Sequence, residues 1–256
     1  MTDPSTDPLV RRTVEGAVAT LTLDSPHNRN ALSSRLMAEL EQGLAEAAED
    51  TAVRAIVLTH TSRVFCAGAD LSEATTGDPT AGPRRLVEIL RAVAECPKPV
   101  IARVDGHVRA GGLGLLGACD IVVAGPAATF AFTEVRLGLA PAVISLPLRP
   151  RLDPRAASRY YLTGETFDAA EAVRIGLVTV AAEDTGAALE PILTALRLAS
   201  PQGLAESKRL AAADLLHSFE RDGEERVDQS ARLFGSAEAR EGMTAFLERR
   251  PPSWAH

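Results

Sequence analysis

Between residues 17 and 23 every second position is apolar, with Ala17, Ala19, Leu21 and Leu23 on one face, the period of a half-buried strand. Residues 26–30 break this pattern. Ser33 or Ser34 then offers a cap for a helix whose Leu36, Leu40 and Leu44 recur every four residues, and the apolar run 53–58 predicts a short strand buried on both faces. The same rhythm returns with a helix over 86–94, a break at Pro97-Lys98-Pro99, a strand over 100–104 and a glycine-rich helix start. Strands over 121–124 and 129–132 follow. Asp168-Ala169-Ala170-Glu171 has capping-box spacing and opens a helix that Gly176 ends, and 177–180 closes the strand series. From about Thr185 onward the patterning is helical only, over 204–216, 224–234 and 237–248. The chain is expected to be α/β over residues 1–195, followed by a helical region over 196–256. No solenoid repeat or low-complexity linker interrupts it.

With 256 residues the chain has the length of one large domain, or of a main domain with a smaller appendage. An apolar fraction of 46% and a charged fraction of 24% are those of an ordinary globular protein, without the apolar run a membrane helix needs. The opening Met1-Thr2-Asp3-Pro4-Ser5-Thr6-Asp7-Pro8 has neither the basic start nor the apolar stretch of a secretory signal, and reads as a frayed leader. Cys66, Cys96 and Cys119 are an odd number without metal-ligand spacing, so neither a disulfide framework nor a metal is expected, and a reducing cytoplasm is the simplest compartment. A net charge of −7 argues against a nucleic-acid surface but leaves room for a small anionic ligand held by a few local cations.

Three segments carry candidate chemistry. In the first, Ala67, Gly68 and Ala69 place small residues after a buried strand, where the backbone comes close to a ligand or Gly68 simply permits a tight turn. The second, Ala110-Gly111-Gly112, opens a helix whose unsatisfied amides and dipole favour an oxygen gaining negative charge. Two such amides would form an oxyanion hole. Residues 112–117 also match the dinucleotide fingerprint GxGxxG, but seven residues separate Val104 from Gly112, so close helix packing is the better reading of Gly114 and Gly117. In the third segment, Glu134 follows an apolar strand. A desolvated carboxylate there would have its pKa raised toward proton-transfer range, whereas a solvated or Arg136-paired one would be idle.

Together these segments resemble the enoyl-CoA hydratase/isomerase, or crotonase, family. The likeness rests on Asn30-Ala31-Leu32, on FCAGADL over 65–71, DGHVRAGG over 105–112 and Cys119-Asp120-Ile121. FTEVRLGL over 132–139, Tyr161-Leu162-Thr163-Gly164 and the tail Glu241-Gly242-Met243-Thr244-Ala245-Phe246 extend it over nearly the whole chain. It implies a spiral of β/β/α turns with a helical C-terminal region that assembles subunits into trimers or dimers of trimers. The substrate would be an acyl-CoA thioester, with CoA belonging to the substrate and no separate cofactor. The resemblance places oxyanion amides at Ala67 and Gly111, and puts His27 and Arg29 beside the CoA chain. It sets Ala69, Asp70 and Leu71 near the adenine, and has Phe246 and Arg249 reaching a neighbour's CoA site.

The residue matching the first of the two glutamates of familiar hydratases is Gly114, read as a substrate contact, which leaves Glu134 as the catalytic acid and base. Hydration of a trans-2-enoyl-CoA is the expected activity. Some members resembling this chain around these segments are methylglutaconyl-CoA hydratases, and isomerisation of a 3-enoyl-CoA or a silent CoA-binding subunit are the alternatives. Arg109 stands where Leu is commoner. It is read either as a partner for a carboxylate on a branched or dicarboxylic acyl group, or as paired with Asp105, Asp120 or another local acid.

Overall fold

The computed structural model describes residues 7–73 and 78–255, so most of the opening octapeptide lies outside the described residues. The strands are β1 (Val10–Glu15), β2 (Val18–Leu23), β3 (Ala55–His60), β4 (Val64–Cys66), β5 (Val100–Val104), β6 (His107–Arg109), β7 (Ile121–Ala124), β8 (Thr129–Ala131), β9 (Phe167–Asp168) and β10 (Val180–Ala181). The helices are α1 (Ser34–Glu49), α2 (Ala81–Glu95), α3 (Gly111–Ala118), α4 (Ser145–Leu148), α5 (Pro154–Thr163), α6 (Ala169–Arg174), α7 (Thr185–Leu198), α8 (Pro201–Ala211), α9 (Ala213–Phe234) and α10 (Ala237–Glu248).

From β3 to β8, successive strands alternate between two sheets. One has the order β1-β2-β3-β5-β7-β10, parallel except for the β1-β2 hairpin, and the other β4-β6-β8-β9, in which only β9 is antiparallel. Each turn of the chain therefore lays one strand in each sheet before a helix returns, a β/β/α spiral. In the hairpin, Gly16 and Ala17 both have positive φ, 52° and 65°, as a two-residue turn matched to strand twist requires.

The apolar run at β3 is buried on both faces. Ile56 and Leu58 enter the main core against α1 and α2, whereas Ala55 and Val57 join Ile101, Val123, Leu189 and Leu193 beneath α7. The caps at Ser33 and Asp168 form as expected, accepting from Leu36 N at 3.2 Å and Glu171 N at 2.9 Å.

The strand expected over 177–180 is only Val180–Ala181. The Leu177 and Val178 amides instead donate to Ala172 O, closing the turn after α6. The helices expected over 204–216 and 224–234 are divided elsewhere, at Ala212, and α9 runs unbroken from Ala213 to Phe234. The boundary near residue 195 falls close to the end of α7, yet Leu215 and Phe219 of α9 belong to the same core as α1 and α2. Buried Lys208 pins α8 to that core. Its Nζ lies 2.8 Å from Asp120 Oδ2 and donates to Val93 O and Lys98 O, so the ammonium keeps its partners on leaving water. Among the described residues no helix is long and apolar enough to cross a membrane, and no cluster of three His, Cys, Asp or Glu could hold a metal.

Candidate active site

The site starts at a turn locked by one buried amide side chain. Asn30, fully buried with φ 53°, accepts from Ser25 N at 2.7 Å and donates to Val64 O at 2.8 Å. Arg29 before it is also left-handed, φ 60°, which turns its carbonyl toward the loop after β4. That carbonyl accepts the Ala67 N–H at 3.1 Å. The Ala67 amide is therefore committed within the protein, which corrects its expected place as an oxyanion donor.

Two residues on, the geometry changes. Gly68, at φ 98°, reverses the chain and gives its carbonyl to Leu32 N at 2.8 Å, leaving the Ala69 N–H without an acceptor among the described residues. Opposite, Ala110 adopts φ 45° and ψ −117°, a strained turn that opens α3 at Gly111. The Gly111 N–H begins the helix and has no partner within it. The loops are in contact, since a Cβ on Gly111 would stand 3.7 Å from Ala69 N and one on Gly68 would stand 3.5 Å from Gly111 N. Ala69 and Gly111 thus present a pair of amides with no acceptor among the described residues.

Glu134 sits in the short turn Thr133–Leu137, where its own carbonyl accepts from Gly138 N and from Leu139 N at 3.0 Å. α10 braces this turn from behind, for a Cβ on Gly138 would meet the Glu238 carbonyl carbon at 2.7 Å and one on Gly242 the Leu137 carbonyl at 2.6 Å. The carboxylate is buried, its Oε2 has no hydrogen-bond partner among the described residues, and burial pushes its pKa up to about 7. Arg136 is exposed and makes no ion pair with it among the described residues. The Tyr161 hydroxyl is likewise buried and has no partner among the described residues, and its pKa is raised by burial and then by the charge of Glu134. The Tyr161 ring packs edge-on against Phe132 with centroids 4.7 Å apart.

A cavity of about 810 Å3 joins these parts. Of the expected site residues, His27, Arg29, Ala67, Ala69, Asp70, Leu71, Gly111, Glu134 and Phe246 line it. Asp70 is half-buried; burial raises its carboxyl, but bonds from Ser72 and Asn28 outweigh this and hold it below the usual range. Gly114 does not line the cavity, which corrects its expected contact with substrate: a Cβ there would meet Ile144 Cγ2 at 2.7 Å and Leu90 Cδ1 at 3.2 Å. Ile144, which does line the cavity, fills the space beside Gly114. Gly117 is similarly closed by Leu148 at 2.9 Å, in keeping with helix packing rather than dinucleotide binding.

Phe246 lines the cavity of its own chain, and Arg249, an exposed residue at the left-handed end of α10, does not. Arg109 lines the cavity too, and neither proposed acid holds it, because Asp105 pairs with Arg103 and Asp120 with Lys208. Sequence reasoning missed Asn28, Thr133, Ile144, Ser230 and Phe234 in the wall. For Ser230 and Phe234 the only signal was an ordinary helical pattern.

The profile of the family described as "Enoyl-CoA hydratase/isomerase" matches residues 13–256. A Bacillus subtilis protein named "Probable enoyl-CoA hydratase" is 33% identical over 249 residues, 94% of this chain and 96% of that one. A Mycobacterium tuberculosis protein, also named as a "Probable enoyl-CoA hydratase", is 40% identical over 192 residues, 73% of this chain and 72% of its own. The crystal structure of an enoyl-CoA hydratase from Mycobacterium avium superposes with a TM-score of 0.92 at 55% identity, covering 98% of this chain and 100% of that one. On this match in sequence and fold, the chain belongs to the enoyl-CoA hydratase/isomerase family.

Proposed function

We propose that this chain hydrates a trans-2-enoyl-CoA to a 3-hydroxyacyl-CoA, with the amides of Ala69 and Gly111 as the oxyanion hole. The observation that carries this reading is the placing of Glu134, a buried carboxylate with its pKa near 7, in one cavity with two free amides. Ionised Glu134 takes a proton from water as the water oxygen bonds to C3 of the enoyl group. The displaced electron pair collects on the thioester oxygen, where two preorganised N–H donors stabilise it. The same carboxyl then returns the proton to C2, so water adds across the double bond with all atoms balanced. Both transfers occur on one face, which a single base can serve.

In this reading His27 and Arg29 lie beside the CoA arm, Asp70 and Leu71 lie toward its adenine end, and Phe246 covers it. The observation that Ile144 occupies the space beside Gly114 favours a second reading, isomerisation of a 3-enoyl-CoA, because moving a double bond needs one base and no water. Exposed Leu162, Leu198 and Leu210 offer apolar surface for the trimeric assembly expected from the resemblance.

Incubation with crotonyl-CoA and with a 3-enoyl-CoA, followed by product mass and chromatography, tests the proposal. Hydration adds the mass of one water to crotonyl-CoA. An unchanged mass with a shifted double bond selects the isomerase reading, and CoA-ester binding without product overturns both. Glu134→Gln should lower turnover by a factor of about a hundred to ten thousand while retaining CoA-ester binding.

A further inference from the structure

Arg109 ends β6 two residues before Gly111 and lines the same cavity as Glu134. Its guanidinium is held by neutral acceptors only. Nη1 donates to Val108 O at 2.9 Å and Thr129 O at 2.7 Å, and Nη2 donates to Thr129 Oγ1 at 2.9 Å. No ion pair joins it to a carboxylate among the described residues, and desolvation alone pulls its pKa down. A half-buried cation without a counter-charge is the arrangement that an anionic ligand group completes.

The pattern of bonds shows which edge of the guanidinium is left for an anion. A guanidinium has five N–H donors, and Thr129 takes the edge formed by Nη1 and Nη2. The Nε–H and the second Nη2–H remain, and these two point the same way as a parallel fork. That edge matches two oxygens of a carboxylate or of a phosphate bidentately, and distance from the thioester decides between them. Because Nη1 is also tied to the carbonyl of the preceding residue, the fork stays close to its own backbone. Two residues of chain span at most about 7 Å, so the Arg109 backbone is that near the Gly111 amide which faces the thioester. CoA's phosphates lie at the far end of the pantetheine arm, whereas a carboxylate on a short acyl chain is only a few bonds from the thioester carbon.

We infer that Arg109 is a specificity-determining residue that pairs, through Nε and Nη2, with a carboxylate at the end of a short acyl group, so that the preferred substrates are dicarboxylic enoyl-CoA esters. This rests on the acyl-CoA reading above and deepens it. The test compares kcat/KM for trans-2-pentenoyl-CoA and for its carboxylated counterpart of equal carbon number, glutaconyl-CoA, in the wild type, Arg109→Gln and Arg109→Lys.

The wild type should prefer the carboxylated ester by roughly ten- to a hundredfold, the range of a charge-assisted bond, and Arg109→Gln should erase that preference. Arg109→Lys, with a point charge and no fork, should recover part of it. An equal loss on both esters in Arg109→Gln would assign the guanidinium to CoA phosphate or to structure alone and overturn the proposal. So would a wild-type ratio of one or below, which decides the matter even if Arg109→Gln does not fold. Turnover of neither ester by the wild type would instead overturn the hydratase reading beneath it.

Discussion

Glu134→Gln removes one buried charge at nearly constant shape, and burial dictates how its effect on stability varies with pH. A glutamate's ordinary pKa of 4.5 is pushed by desolvation up to about 7 in the folded chain. The folded protein therefore binds this proton more tightly than the unfolded chain. The stability linked to the proton is fully present below about pH 4.5 and is lost as pH rises through about 7. The gap from 4.5 to about 7, at roughly 1.4 kcal/mol per pH unit, makes the whole loss about 3 kcal/mol. About 1 kcal/mol of it is gone by pH 5.5, and nearly all by pH 8.

Glutamine does not ionise, so Glu134→Gln should become progressively more stable than the wild type as pH rises. Urea unfolding followed by circular dichroism at half-unit steps from pH 5 to 9 measures the difference. It should widen by about 2 kcal/mol between pH 5.5 and 8 and then level off. Under the proposed mechanism the same ionisation switches the base on, so wild-type kcat/KM should climb with pH through about 7. A stability difference constant to within about 0.5 kcal/mol, together with activity flat down to pH 5, would refute a desolvated carboxylate as the base.

Gly114→Glu, which places a carboxylate where familiar hydratases have one, should cost about 1–3 kcal/mol by overpacking against Ile144 and Leu90 and should bring no gain in hydration rate. A variant as stable as the wild type and faster would mean that Ile144 yields the space. Asn30→Ala should cost about 2–4 kcal/mol, because it strands Ser25 N and Val64 O and leaves an alanine in a left-handed conformation. Urea unfolding reads this loss, and one under about 1 kcal/mol would show that Asn30 is not what holds the turn.

The elements legible in the sequence are those with a strong apolar period or a capping side chain. Alternation marked β2, continuous apolar runs marked β3, β5 and β7, and Ser33 and Asp168 marked helix starts. The second sheet was largely hidden. β4, β6 and β9 are two or three residues long, too short to display a period, and are held by pairing with strands distant in sequence. β1 was hidden for another reason: only Val10 of its six residues is buried, so Val-Arg-Arg-Thr-Val-Glu carries almost no alternation. Its pairing to β2 depends on the Gly16-Ala17 turn.

At the site the sequence singled out both loops, but not which amide of the first is left without an acceptor. Whether an N–H is free depends on where a distant carbonyl falls. Ala67 is engaged because Asn30, 37 positions earlier, holds Arg29 in a conformation that points its carbonyl at that amide. Nothing in the string Cys66-Ala67-Gly68-Ala69-Asp70 separates the two alanines. Gly68 does so in three dimensions, because its positive φ turns the amide after it, rather than the one before it, toward Gly111. The loss of a carboxylate at residue 114 was visible at once, but its consequence was not. With Ile144 packed beside Gly114, an apolar wall stands where the resemblance would set a second carboxylate. Burial lifts the pKa of Glu134 to about 7, so under the proposed mechanism a lone buried carboxylate is better matched to neutral pH than a solvated one would be.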